Sequence, residues 1–161
     1  MTESVALTEF KLGVKMLRDA RPHTALAHFR KAADLEKNNP YYLSFVGVSL
    51  ARAERNWKTS LELCESALTM KHNEAQLYLN LAEVYTSAGR REEALMTLDR
   101  ALASLGPLAR IQQARQKLGR RRSPALPFLD RQNFLNKQLG FVRHRILTWA
   151  NGARLPLHHS S

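Results

Sequence analysis

The stretch Tyr78-Leu79-Asn80-Leu81-Ala82-Glu83-Val84-Tyr85, completed by Ala94-Leu95-Met96-Thr97-Leu98-Asp99-Arg100-Ala101, decides how this chain folds. Each half spaces its apolar residues three, four and seven apart, which is the stripe of a helix with one buried face. The same order of small and large residues occurs twice upstream. One small residue recurs at Gly13, Gly47 and Ala82, a second at Ala25, Ser60 and Ala94, and a third at Ala32, Ala67 and Ala101. Equivalent residues lie 34 or 35 positions apart. A period of that length specifies stacked helix pairs. The small residues have a physical purpose, because two helices approach to about 8–10 Å only where the facing side chains leave room.

The remaining positions agree. Leu26, Leu61 and Leu95 follow the middle small residue, and Phe29, Cys64 and Leu98 stand three further on. The opening halves carry Leu12/Gly13/Met16, Val46/Gly47/Leu50 and Leu81/Ala82/Tyr85. This pattern resembles the tetratricopeptide repeat, whose first helix carries a large residue, Leu-Gly and Tyr, and whose second carries Ala-Leu, an aromatic and Ala. The third unit is the nearest match, with Gly89 in its turn. The second departs most, with Ser60 for alanine, Cys64 for the aromatic and one extra residue between Leu50 and Trp57. The resemblance covers roughly residues 6–107 and implies an all-α solenoid of three repeats, at 6–39, 40–73 and 74–107.

Within that frame the spacing predicts helices near 5–19, 22–36, 40–54, 57–71, 74–87 and 91–105. Asn38-Asn39-Pro40 separates two pairs, with Pro40 suited to a first helical turn. Asn73 is expected to cap the fifth helix, with Gln76 as its capping-box partner. Gly106-Pro107 stops the array. Leu108, Ile111, Ala114 and Leu118 then share one face of a segment at 108–118, the wet-sided helix that caps a solenoid.

Residues 119–161 form a second region by composition. Gly119 to Asp130 contains Arg120-Arg121-Arg122 and two prolines, which exclude a continuous helix and predict a linker over 119–130. Leu135, Leu139, Val142, Ile146 and Trp149 then recur at alternating spacings of 4 and 3, predicting an amphipathic helix over 131–150. That seam has three destinations open to it: docking on the solenoid, self-association with another chain, or an anionic membrane. The run of Arg-Arg, Pro-Phe-Leu, Asn-Phe-Leu-Asn and Leu-Gly resembles extensions on some bacterial repeat proteins of this type, which implies a bacterial source.

Charge divides the chain the same way. Residues 1–107 hold 14 Lys/Arg against 13 Asp/Glu, whereas residues 108–161 hold 11 Lys/Arg against Asp130 alone. Arg120, Arg121, Arg122, Arg143 and Arg145 make the tail a candidate for an acidic partner, an anionic membrane or nucleic acid. The chain has no run of 18 apolar residues, and its start has no basic segment leading into an apolar stretch. Its single cysteine, Cys64, falls on a buried stripe and reads as a structural thiol. These features together point to the cytoplasm.

No catalytic constellation is visible, and no metal or cofactor is expected. The six histidines are scattered, and none stands four residues from another on a helix, as a metal site would want. Glu92-Glu93 and Asp34/Glu36 read as solvated charge. The expected activity is therefore non-catalytic, that of a scaffold, adaptor or small chaperone. By the resemblance, the first helix of each pair lines a concave groove that receives a protein or peptide segment. The groove would present Leu7, Phe10, Val14 and Leu17, then Tyr41, Phe45 and Val48, then Gln76, Leu79, Asn80 and Glu83. Some members of the family clamp a terminal carboxylate with lysine, asparagine and arginine at such sites. Here Phe10 and Val14 replace the lysine and asparagine of the first repeat, and Gln76 replaces a lysine of the third. An apolar or amphipathic segment fits that lining better. Phe10 and Phe45 are read either as groove contacts or as core.

Overall fold

A computed structural model describes residues 4–119, which hold seven helices. They are α1 (Val5–Arg18), α2 (Pro22–Leu35), α3 (Pro40–Glu54), α4 (Trp57–Met70), α5 (Ala75–Ser87), α6 (Arg91–Leu105) and α7 (Ala109–Gly119). No strand occurs among the described residues. The linker at 119–130, the helix at 131–150, Arg120–Arg122, Arg143, Arg145 and the seam Leu135, Leu139, Val142, Ile146 and Trp149 lie outside the described residues, save Gly119, which ends α7.

Local chemistry sets the helix ends. The side chains of Ser4, Asn39 and Asn56 each accept a backbone N–H of the first turn of α1, α3 and α4, satisfying donors that have no partner within the helix. Pro22 and Pro40 open α2 and α3, where a missing N–H costs nothing. The expected cap at Asn73 does not form. Glu74 precedes α5 and makes no side-chain cap. Glu74 instead pairs with Lys71 at 2.8 Å, while the Gln76 amide turns forward to Asn80.

The turns inside the pairs explain the extra residue of the second repeat. In the first, the N–H groups of Ala20 and Arg21 return to Leu17 and Met16, and in the third those of Gly89 and Arg90 return to Thr86 and Tyr85. Both are Schellman closures with a left-handed residue, Ala20 at φ 55° and Gly89 at φ 80°. In the second repeat α3 continues to Glu54, and Arg55, at φ 54°, closes the helix with one bond to the Ala51 carbonyl. The insertion thus lengthens α3 and shortens its turn.

Each pair closes where the sequence placed its small residues. A Cβ built on Gly13 would stand 2.7 Å from the Phe29 ring. One on Gly47 would stand 2.8 Å from both Cys64 Sγ and the Ser60 carbonyl oxygen. Ala25, Ser60, Ala94, Ala32, Ala67 and Ala101 are all fully buried. Cys64 is sealed beside them, and burial pushes its thiol up to about 12, the state of an inert structural cysteine. Ser49 and Ser60 bury hydroxyl oxygens with no hydrogen-bond partner among the described residues.

Stacking between pairs is uneven. The second repeat holds the third with both helices, α3 against α5 and α4 against α5, and one apolar cluster runs from Val48 through Leu81 and Leu98 to Ile111 and Leu118 of α7. Arg91 fastens α7 by donating to the Leu118 carbonyl at 2.7 Å. The first repeat joins through α2 against α3, around a separate cluster of Ala25, Leu26, Phe29, Val46 and Leu50. Between α1 and α3 the side chains meet, Phe10 lying 5.0 Å from Tyr42 and 5.1 Å from Phe45, with Val14, Met16 and Leu17 packed on the cluster that holds Val46 and Leu50.

The first repeat also carries a buried carboxylate. Glu9 stands 69 positions before Tyr78, two periods away, at the place of the large apolar residue. It is nearly buried on α1 and takes an ion pair from Lys31 of α2, with His28 Nδ1 at 2.7 Å. Lys31 first and His28 second hold its carboxyl below the ordinary glutamate range.

Two outcomes follow. Gly47→Ala forces a Cβ into backbone and should cost about 1–3 kcal/mol, whereas Ser60→Ala removes an orphaned hydroxyl and should gain about 1 kcal/mol; urea unfolding reads both. Glu9 binds its proton less readily folded than unfolded, so its contribution is present above the unfolded pKa of about 4.3 and is lost as pH falls through the lower folded value. Glu9→Gln should therefore lower the melting temperature at neutral pH and flatten its fall below pH ~4.

Candidate protein-binding groove

The first helices α1, α3 and α5, followed by α7, present the residues that sequence assigned to a groove. Leu7 is exposed; Phe10, Val14, Leu17, Tyr41, Phe45, Gln76, Leu79 and Glu83 are half-buried; Val48 and Asn80 are buried. Leu17, Tyr41 and Leu79 pack on the one cluster shared by repeats two and three. They come from three successive first helices, so apolar surface continues from one repeat to the next. Phe10 and Phe45 meet edge to face, and Phe45 also lies 5.2 Å from Phe29. Aromatic pairs of this kind add about 0.5–1.5 kcal/mol beyond the area they bury. Their rings therefore belong to the packing between repeats while keeping partial exposure. Val48 is part of the core.

The polar members form a connected line. Asn80 Nδ2 donates to Ser44 Oγ at 2.9 Å, and Ser44 Oγ donates to the Tyr41 carbonyl at 3.0 Å. Gln76 Nε2 donates to Asn80 Oδ1 at 2.7 Å, and Arg110 of α7 donates to Gln76 Oε1. Asn80 is thereby satisfied in a site where an unmade bond would cost about 1–3 kcal/mol. Ser44 and Arg110 were not assigned from sequence. Ser44 lies one residue from the assigned Phe45, and Arg110 stands 34 residues after Gln76, at the equivalent place in a fourth, partial unit.

Charge on this face is mostly paired. Arg52 meets Glu83 at 2.7 Å, joining α3 to α5. Lys71 pairs with Glu74 and lies over the Tyr41 ring at 5.4 Å. Lys71 first, and Tyr41 second, hold the Glu74 carboxyl below its usual range; burial first, and Glu74 second, raise the Tyr41 hydroxyl. Phe10, Val14, Phe45, Gln76 and Asn80 place no cation on the groove.

Other chemistry is sparse. A second cleft of about 530 Å³ lies between α4 and α6, over Tyr78, Leu81 and Tyr85 of α5. There Tyr85 donates to Glu65 at 2.8 Å. Among the described residues no three metal-binding side chains converge, and no helix is long and apolar enough to cross a membrane.

This architecture defines a class, the helical repeat solenoid, and comparison with known proteins names the repeat. A family model described as tetratricopeptide repeat matches residues 51–118. Residues 51–118 are thus similar to that repeat, and the described residues have an all-α solenoid fold of stacked helix pairs. The first such domain of Spaghetti (RPAP3), solved bound to the HSP90 peptide SRMEEVD, is similar at 17% identity over 71% of this chain and 92% of that one, with TM-score 0.58. The first domain of human RPAP3 gives 17% identity, coverage of 71% and 89%, and TM-score 0.60. The OM64 domain of Arabidopsis gives 15%, coverage of 70% and 93%, and TM-score 0.57. Among curated proteins, none matches the sequence.

Proposed function

We propose that this protein is a non-catalytic interaction module, a scaffold, adaptor or small chaperone, that receives an apolar or amphipathic segment of a partner protein along α1, α3 and α5. One observation carries the reading: partly exposed apolar side chains continue across three successive first helices, from Leu7 and Leu17 through Tyr41 to Leu79. Burial of such surface drives association without a defined bond pattern. The likeness to a domain bound to a peptide supports a peptide partner. The absence of cations at Phe10, Val14, Phe45, Gln76 and Asn80 argues against a clamp for a chain terminus.

The groove test uses the exposed edge, because removing Phe10 and Phe45 would dismantle the ring packing that joins the first two repeats. With a fluorescein-labelled amphipathic helical peptide of about four turns, Leu7→Gln plus Leu79→Gln should weaken binding about tenfold. Helical circular dichroism should not change. Met96→Gln, on the exposed outer face of α6, should bind normally. Equal affinity for the double variant refutes the groove.

A second reading rests on charge. Residues 108–161 carry 11 Lys/Arg against one acidic residue, which suits a tether to anionic membrane or nucleic acid. Flotation with anionic liposomes and filter binding with nucleic acid should then show steep loss with salt. Salt-independent or absent binding removes this reading.

A further inference from the structure

One exposed cation beside the groove sits on a polar line that apolar capture does not use. Arg110 is exposed in the first turn of α7, and its guanidinium donates to Gln76 Oε1. Gln76 is held in turn because its amide donates to Asn80, Asn80 donates to Ser44, and Ser44 donates to the Tyr41 carbonyl. Every link gives a donor to the next acceptor, so no amide or hydroxyl in the line is free to rotate without breaking a bond. The line starts inside the fold, where Ser44 is fully buried and Asn80 nearly so. It ends on a guanidinium in solvent.

The charge of this residue is also unmatched. Glu83 is neutralised by Arg52 and Glu74 by Lys71, while Arg110 forms no ion pair among the described residues. Its hydrogen-bond partner is a neutral amide oxygen. A guanidinium has five N–H donors in a rigid fork, and the group that matches the remaining donors is a carboxylate. Pre-orientation by Gln76 reduces the side-chain entropy that a surface arginine would otherwise lose on pairing.

We propose that Arg110 receives an acidic side chain of the segment bound along α1, α3 and α5, so that the partner is amphipathic with Asp or Glu at the end that reaches α7. This assignment rests on the groove reading and adds its polarity. It locates recognition of charge on the capping helix, outside the three repeats. Gln76 acts as a positioning residue.

The probes are C-terminally amidated, fluorescein-labelled amphipathic helical peptides of about four turns, with one glutamate in the first or the last turn, and a glutamine twin of each. On the full chain, one glutamate peptide should bind about tenfold tighter than its glutamine twin. Arg110→Gln should erase that advantage and leave the glutamine peptide unaffected. Gln76→Ala should reduce the advantage without abolishing it, and added salt should shrink it in the native chain only. Equal binding by both twins overturns the Arg110 assignment alone. An advantage that survives Arg110→Gln does the same. Failure of every peptide to bind overturns the groove reading and this assignment with it. A glutamine peptide with a free terminal carboxylate that matches the glutamate peptide overturns the side-chain assignment in favour of a chain end.

Discussion

The absent side chains at Gly13 and Gly47 set the distance at which the helix pairs close, and the rest of the fold is arranged around that distance. Phe29 fills the space over Gly13, and Cys64 with the Ser60 carbonyl fills the space over Gly47. With the pairs closed, the alanines at 25, 32, 67, 94 and 101 are fully buried, and each pair presents one apolar face to the next. No pair can cover that face alone. The array therefore ends on α7, whose Ile111 and Leu118 complete the last cluster and whose other side is wet.

The repeats share a plan and differ in chemistry. The first substitutes a carboxylate for a large residue and satisfies it with two bases on the facing helix, a tolerable exchange near the end of an array. The second accepts a longer α3 and a smaller partner for its glycine. The third supplies polar groups to the groove. These differences give one side of the molecule a direction, from rings and leucines on α1 to amides and a guanidinium at α5 and α7.

How much of this was legible in the sequence follows from the range of each interaction. Helix positions were, because the 34-residue period and the local caps act within a few residues of themselves; α3 and α6 occupy 40–54 and 91–105 as spacing predicts. Asn73 is not the cap because α5 begins at Ala75, one residue later than spacing predicts, which leaves Glu74 at the cap position. The polar line was not legible, since Asn80 and Ser44 stand 36 residues apart and meet only after stacking. The site of Glu9 carried a signal in hindsight: an acid at the large-residue position opposite His28 and Lys31, three apart on the next helix. Phe10 and Phe45 stayed open between groove and core because their rings pack between the repeats and yet keep partial exposure. The basic tail, which holds most of the net positive charge, lies beyond the described residues.

The two junctions between repeats are built differently. Between the second and third repeats, two helices meet α5 and a continuous cluster extends to α7. Between the first and second, α2 packs on α3 and rings meet between α1 and α3. A substitution at the second junction is therefore felt along one cluster as far as α7, whereas one among the rings of the first stays within a cluster of its own.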